Sequence, residues 1–225
     1  MKYFASGGSC DWTGATPQTH TKAEMDSVVD YAKSKGIKVY NPYSFDGDIE
    51  LLKEQIDVIS DIKEEFRISE KITVKFATMA DDDFAETNKN TITFNKKVLR
   101  SREVSNKNLQ SDNILAANDI NGISAHEMGH IISSKYGEKG LDIAKEVYYN
   151  KYNKAPSRDV MLDYLVTNVS TYCDSYKGSQ KGEDIPPHKR VYNEITPEVL
   201  SKNMYGEKTE FSAEFVKLLK GRCFV

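Results

Sequence analysis

Histidine is scarce in this chain, at four in 225 residues, and cysteine is scarcer still, at three. Cys10, Cys173 and Cys223 are odd in number, far apart and without a C-x-x-C pair. That pattern excludes a disulfide framework and a cysteine-built metal site; it points to buried or free thiols, compatible with a reducing compartment. No apolar run approaches the length of a membrane span, which argues against a membrane partner. The segment Met1–Gly8 lacks the apolar stretch of a secretory signal. Charge of one sign is also missing. Lys and Arg number 31 against 34 Asp and Glu, interspersed, for a net charge of −3. No strongly cationic face follows, so nucleic acid is excluded as the main partner.

What is present suffices for one substantial folded domain. Hydrophobic residues make up 39% of the chain, enough for a core despite 29% charged residues. Residues 1–21, rich in Gly, Ser and Thr, read as a loop or extended arm. The remainder, 22–225, reads as a single domain with an N-terminal helical part over 22–66 and a core over 70–225. Thr21-Lys22-Ala23-Glu24 has capping-box form and opens a helix that stops at Gly36. Residues 37–40 are a short strand candidate. Asp48 caps the next helix, where Leu52, Ile56, Ile59, Ile62 and Phe66 recur at helical spacing.

Period-2 alternation follows at Ile72, Val74 and Phe76 and again at Ile92 and Phe94, predicting two antiparallel strands joined by an acidic loop. Asp81-Asp82-Asp83 in that loop lacks calcium-ligand spacing and reads as a solvated turn. Helices are expected at 120–136, 141–152 and 157–174, and a loop over 177–190. Thr196-Pro197-Glu198 looks like the start of another short helix, with proline at its first position. A last helix begins near Thr209. Helices, strands, then more helices make an α+β fold, with a small antiparallel sheet packed against helices.

Two of the four histidines fall in His126-Glu127-Met128-Gly129-His130, an H-E-x-x-H sequence inside an apolar helical pattern. On a helix, residues i and i+4 share a face, so both imidazoles can grip one zinc ion. The glutamate between them can hold the metal's water as general base. Catalytic zinc takes three protein ligands and keeps one position open. The extended motif that would supply a third histidine fails, because Ser133 and Tyr136 stand at its glycine and histidine positions. His20 and His188 sit in loop-like contexts, and Glu146 in an undistinguished helical one. The stronger candidates are Glu210 and Glu214, one helical turn apart, with Phe211, Phe215, Leu218 and Leu219 able to anchor their helix. One would ligate zinc, and the other would accept a hydrogen bond from a ligating histidine.

The segment Ile123–His130, together with Tyr205-Gly206 and Glu210-Phe211-Ser212-Ala213-Glu214-Phe215, resembles the zinc metallopeptidase domains of phage head-morphogenesis (minor capsid) polyproteins and related mobile elements. It is more distantly similar to the catalytic domain of anthrax lethal factor. The resemblance implies a zincin-like fold with one Zn2+ held by His126, His130 and Glu210. It implies Glu127 as general base, Glu214 behind a ligating histidine, and Tyr205 as a phenol near the scissile carbonyl. It also implies a peptide or protein substrate, a place within a larger phage polypeptide, and the bacterial cytoplasm or phage particle as location. Three other readings stand beside it: a non-catalytic zinc-binding module of a capsid polyprotein, a repressor-cleaving regulatory peptidase, and a secreted toxin-like effector.

Overall fold

Short polar signals start the N-terminal helices where the sequence predicts them. Thr21 and Glu24 form the reciprocal capping box of α1 (Lys22–Ser34), and Gly36 follows its end at φ 68°. Asp48 accepts from the amides of Glu50 and Leu51 to open α2 (Ile49–Glu65), which buries Leu52, Ile56, Ile59 and Ile62. The computed structural model describes residues 2–4, 10–112, 116–137, 140–174 and 187–223, with main chain alone at 2–4, 112, 174 and 187–192.

Five strands form one mixed sheet in the order β1-β4-β5-β3-β2: β1 (Lys2–Phe4), β2 (Ile37–Val39), β3 (Ile72–Ala77), β4 (Asp83–Asn88) and β5 (Thr91–Asn95). The sheet departs from the sequence expectation in three ways. First, β3 and β5 are parallel, not an antiparallel pair. Second, the expected acidic loop contains β4, which turns back through Lys89-Asn90 to pair antiparallel with β5. Lys89 sits at φ 53°, the left-handed backbone that a two-residue hairpin requires. The alternation of β4 was hidden because its inward positions include Asp83 and Thr87. Asn95 holds the crossover by donating to the carbonyls of Ala80 and Asp83 at 3.1 and 2.8 Å. Third, the N-terminal arm contributes β1 to the sheet edge.

After the sheet come α3 (Arg102–Asp112), α4 (Ile120–Tyr136), α5 (Gly140–Tyr152), α6 (Arg158–Asn168), a 3-10 turn (Thr171–Asp174), α7 (Pro187–Tyr205) and α8 (Glu210–Cys223). The fold is α+β. The loop expected over 177–190 lies mostly outside the described residues; its last positions, from Pro187, already belong to α7. Pro197 lies inside α7 rather than at a helix start. Proline there forgoes one backbone bond, yet Ile195, Val199 and Leu200 are buried on either side of it. Core packing overrides the local stop signal.

Buried apolar residues from Met25 to Leu219 form one contiguous cluster. α4 runs through its middle, with every residue from Gly122 to Gly129 buried. Its polar residues are therefore core residues. Ser124 donates to Gln55 of α2 at 2.7 Å, and Gln55 donates to Asn121 at 2.6 Å. Among the described residues, no helix is long and apolar enough to cross a membrane.

Candidate metal centre

The geometry of α4 places His126 and His130 one turn apart, with their Nε2 atoms 3.1 Å from each other. The acid that meets them is Glu194 of α7. Its Oε2 lies 3.3 Å from His126 Nε2 and 3.5 Å from His130 Nε2. These three side chains form a group that could hold a metal ion. Ligands bound at ordinary zinc distances stand roughly 3.3–3.4 Å apart at the corners of a tetrahedron, so the observed separations fit. The polar chemistry fits as well. Glu194 Oε2 is buried, with no hydrogen-bond partner of good geometry and the two histidine nitrogens facing it, so a cation held between them would satisfy it.

Glu198, one turn further along α7, supports the group from behind. One of its oxygens lies 2.7 Å from His126 Nδ1. The other accepts from the Ala116 amide at 2.8 Å and the Ser170 hydroxyl at 2.6 Å. Once the ring gives up one proton, a carboxylate on Nδ1 keeps the other there and leaves Nε2 with its lone pair toward the metal position. The Tyr172 ring stands edge-on to His126, with centroids 6.3 Å apart.

Glu127 is buried beside this group, and neither carboxylate oxygen has a partner of good hydrogen-bond geometry. Burial raises its pKa to about 7, against the opposing pull of His126 and Thr87. A carboxyl at that value can both take and return a proton near neutrality. Burial lowers His130 to about 4. Burial also works to lower His126, but its contacts with Glu194 and Glu198 outweigh this and hold it at about 10. Near neutral pH the metal-free His126 therefore carries a proton that a metal must displace. Zinc affinity should rise with pH across the neutral range, with proton release on binding. Competitive chelator titrations at two pH values one unit apart would measure this directly.

The close fit of α7 on α4 depends on Gly129 in the H-E-x-x-H helix. A Cβ at that position would stand 2.5 Å from Pro197 Cα and 2.8 Å from Pro197 N. Both are backbone atoms that cannot swing aside. Gly129→Ala should push α7 away, cost about 1–3 kcal/mol, and weaken zinc binding because Glu194 and Glu198 travel with that helix. Denaturation midpoints and metal titration of the variant would show both losses together.

Several residues singled out in the sequence lie elsewhere. Glu210 is not at the metal group: it is the first residue of α8, its side chain is 91% exposed, and it faces Lys151 at 3.4 Å. Glu214 pairs with Lys217 at 3.1 Å, and the place beside a histidine assigned to it is taken by Glu198. Tyr205 ends α7 about 16 Å along the helix from Glu194. It borders a polar cavity of about 560 Å³ with Asp119, Lys202 and Glu207, so it does not reach the histidine pair. His20 binds the Gly47 carbonyl and stacks on Phe45. Glu146 pairs with Arg222, and the side chain of His188 lies outside the described residues. Asp81 bonds Lys97, while Asp83 is buried in β4. None of the three cysteines is in a disulfide, and burial pushes the Cys173 thiol far up.

Sequence reasoning missed Glu194 and Glu198 although a signal was present. Glu194-Ile195-Thr196-Pro197-Glu198 has the same E-x-x-x-E spacing as the segment at 210–214. Reading Thr196-Pro197 as a helix start broke that spacing across a supposed boundary. No protein-family model, curated protein or solved structure matches this chain.

Proposed function

We propose that the chain is a zinc-dependent endopeptidase in which His126, His130 and Glu194 hold one zinc ion and Glu127 is the general base. The carrying observation is the buried Glu127 carboxylate, without a hydrogen-bond partner of good geometry, next to a three-ligand group. A structural zinc site has no use for such a carboxylate, and leaving it there without a proton to move is costly. A zinc ion bound here would supply an acidified water and a Lewis acid for a peptide carbonyl.

The chain's own residues then divide the work. Glu127 takes the proton of the attacking water and delivers it to the leaving amine. Glu198 keeps the His126 ring in the orientation and tautomer that ligation needs. Glu194, on α7, replaces Glu210 as the acidic ligand. Of the segments that carry the resemblance to minor capsid metallopeptidase domains, Ile123–His130 lies at the metal group and Tyr205–Phe215 does not, so the H-E-x-x-H helix is what supports a peptide or protein substrate.

Glu127→Gln tests the assignment. It should retain one zinc per chain by elemental analysis while turnover of a peptide-library substrate falls by about 10²–10⁴. Unchanged turnover in that variant would refute the role of Glu127. Zinc-loaded wild type that cleaves nothing would move the protein to the class of non-catalytic zinc-binding modules.

A further inference from the structure

β4 is the strand at which the sheet meets the metal helix. The Thr87 hydroxyl donates to the main-chain carbonyl of Glu127 at 3.3 Å, joining the strand to the residue assigned as base. One edge of β4 pairs with β5. The other is taken by β1, antiparallel, with Lys2 opposite Glu86 and Phe4 opposite Asp83 and an irregularity in register between them. Neighbouring strands lie about 4.8 Å apart, so the β1 main chain runs one strand spacing from the residue next to Thr87. The opposite sheet edge, β2, is separated from β4 by β5 and β3, about 14 Å at that spacing. The strand that packs on the metal helix, β4, is thus the neighbour of β1 and lies far from the β2 edge.

An endopeptidase must hold its substrate extended so that one carbonyl is presented to the metal. The economical way to do so is to add the substrate as a strand to a sheet edge beside the site. Here that edge is filled by a strand of three residues, whose ladder is short and irregular and so is easily exchanged. With the outer edge of β4 as the place where such a substrate docks, we propose that residues 2–4 of the chain are a built-in competitor for it. This inference rests on the peptidase reading. It assigns the substrate as a strand-forming peptide segment recognised through its main chain, with proline excluded where an amide must donate. It also makes displacement of β1 a step that precedes binding. The observed affinity for any substrate is then reduced by the fraction of molecules in which β1 is docked.

The test uses the full-length chain with Tyr3→Pro and Phe4→Pro together, which removes two amide donors from β1. The probe is a C-terminally labelled peptide with the sequence of residues 1–8, followed by fluorescence anisotropy. The double variant should bind it about tenfold or more tightly than wild type does, and a probe carrying the same two prolines should bind neither protein. Equal binding to variant and wild type, or no binding to either, would overturn the proposal. A thermal melt of the variant guards against misfolding. If it melts early, a second measurement on wild type decides: the unlabelled peptide should displace a generic labelled strand peptide, and failure to displace it would overturn the proposal. Binding that follows the expected order without any hydrolysis would uphold the docking edge and remove the peptidase reading, so the two failures are distinguishable.

Discussion

Glu194→Ala should lose zinc while Glu210→Ala keeps it. Glu194 is 7% exposed at its side chain and reaches both histidine Nε2 atoms within 3.5 Å. Removing it leaves the two imidazoles alone, and a divalent ion held by two nitrogens in a buried site lacks the anionic ligand that neutralises part of its charge. The expected loss is about a hundredfold or more in affinity, beyond the range seen for residues that only support a ligand. Glu210, exposed and facing Lys151, should change affinity by less than about twofold, because a surface ion pair of that kind contributes little. The two variants have the same chemistry on the same type of residue at the first position of an E-x-x-x-E segment, so each controls for the other. Equal zinc content in all three proteins would remove Glu194 from the ligand set, and loss in Glu210→Ala alone would restore the expectation drawn from the sequence.

The metal helix was legible because its information is local. His126, Glu127 and His130 are set by a spacing of four on one helix, and no tertiary knowledge is needed to see that two imidazoles share a face. The third ligand comes from far along the chain, and two helices offered the same acidic spacing. They differ in surroundings rather than in pattern. On α8, Phe211, Phe215 and Leu219 make one buried stripe and leave Glu210 to solvent. On α7, every residue from Glu194 to Ser201 is buried, so its acids must be paired or ligating. That asymmetry comes from α7 packing on α4, which a local reading of Thr196-Pro197 as a stop could not anticipate. The sheet failed for a related reason. Alternation identified β3 and β5 but not their direction, because the strand that sets it, β4, buries an aspartate and a threonine where apolar residues would have announced it.

Substitutions at Glu198 should separate holding the fold from holding the tautomer. Glu198 is fully buried and satisfies three partners: His126 Nδ1, the Ala116 amide and the Ser170 hydroxyl. Glu198→Ala orphans all three, and the expected destabilisation is about 3–5 kcal/mol, that of breaking a buried charged network from one side. Glu198→Gln is the more informative change. Its amide oxygen can still accept from Ala116 and Ser170, two donors that would repel the NH2 group. The NH2 must then face His126 Nδ1, which can receive it only as an acceptor. The imidazole is driven to carry its proton on Nε2, the nitrogen that points at His130 and Glu194. A ring in that tautomer cannot ligate. Glu198→Gln should therefore lower the metal-free denaturation midpoint less than Glu198→Ala does, and lose about 10–100-fold in zinc affinity. A 15N spectrum of the metal-free proteins near neutral pH would show a doubly protonated His126 ring in wild type and a neutral ring protonated at Nε2 in the variant. Zinc affinity that follows stability through both variants would mean that Glu198 acts by packing alone. Affinity lost in a variant that still folds would assign it to the proton on the ring.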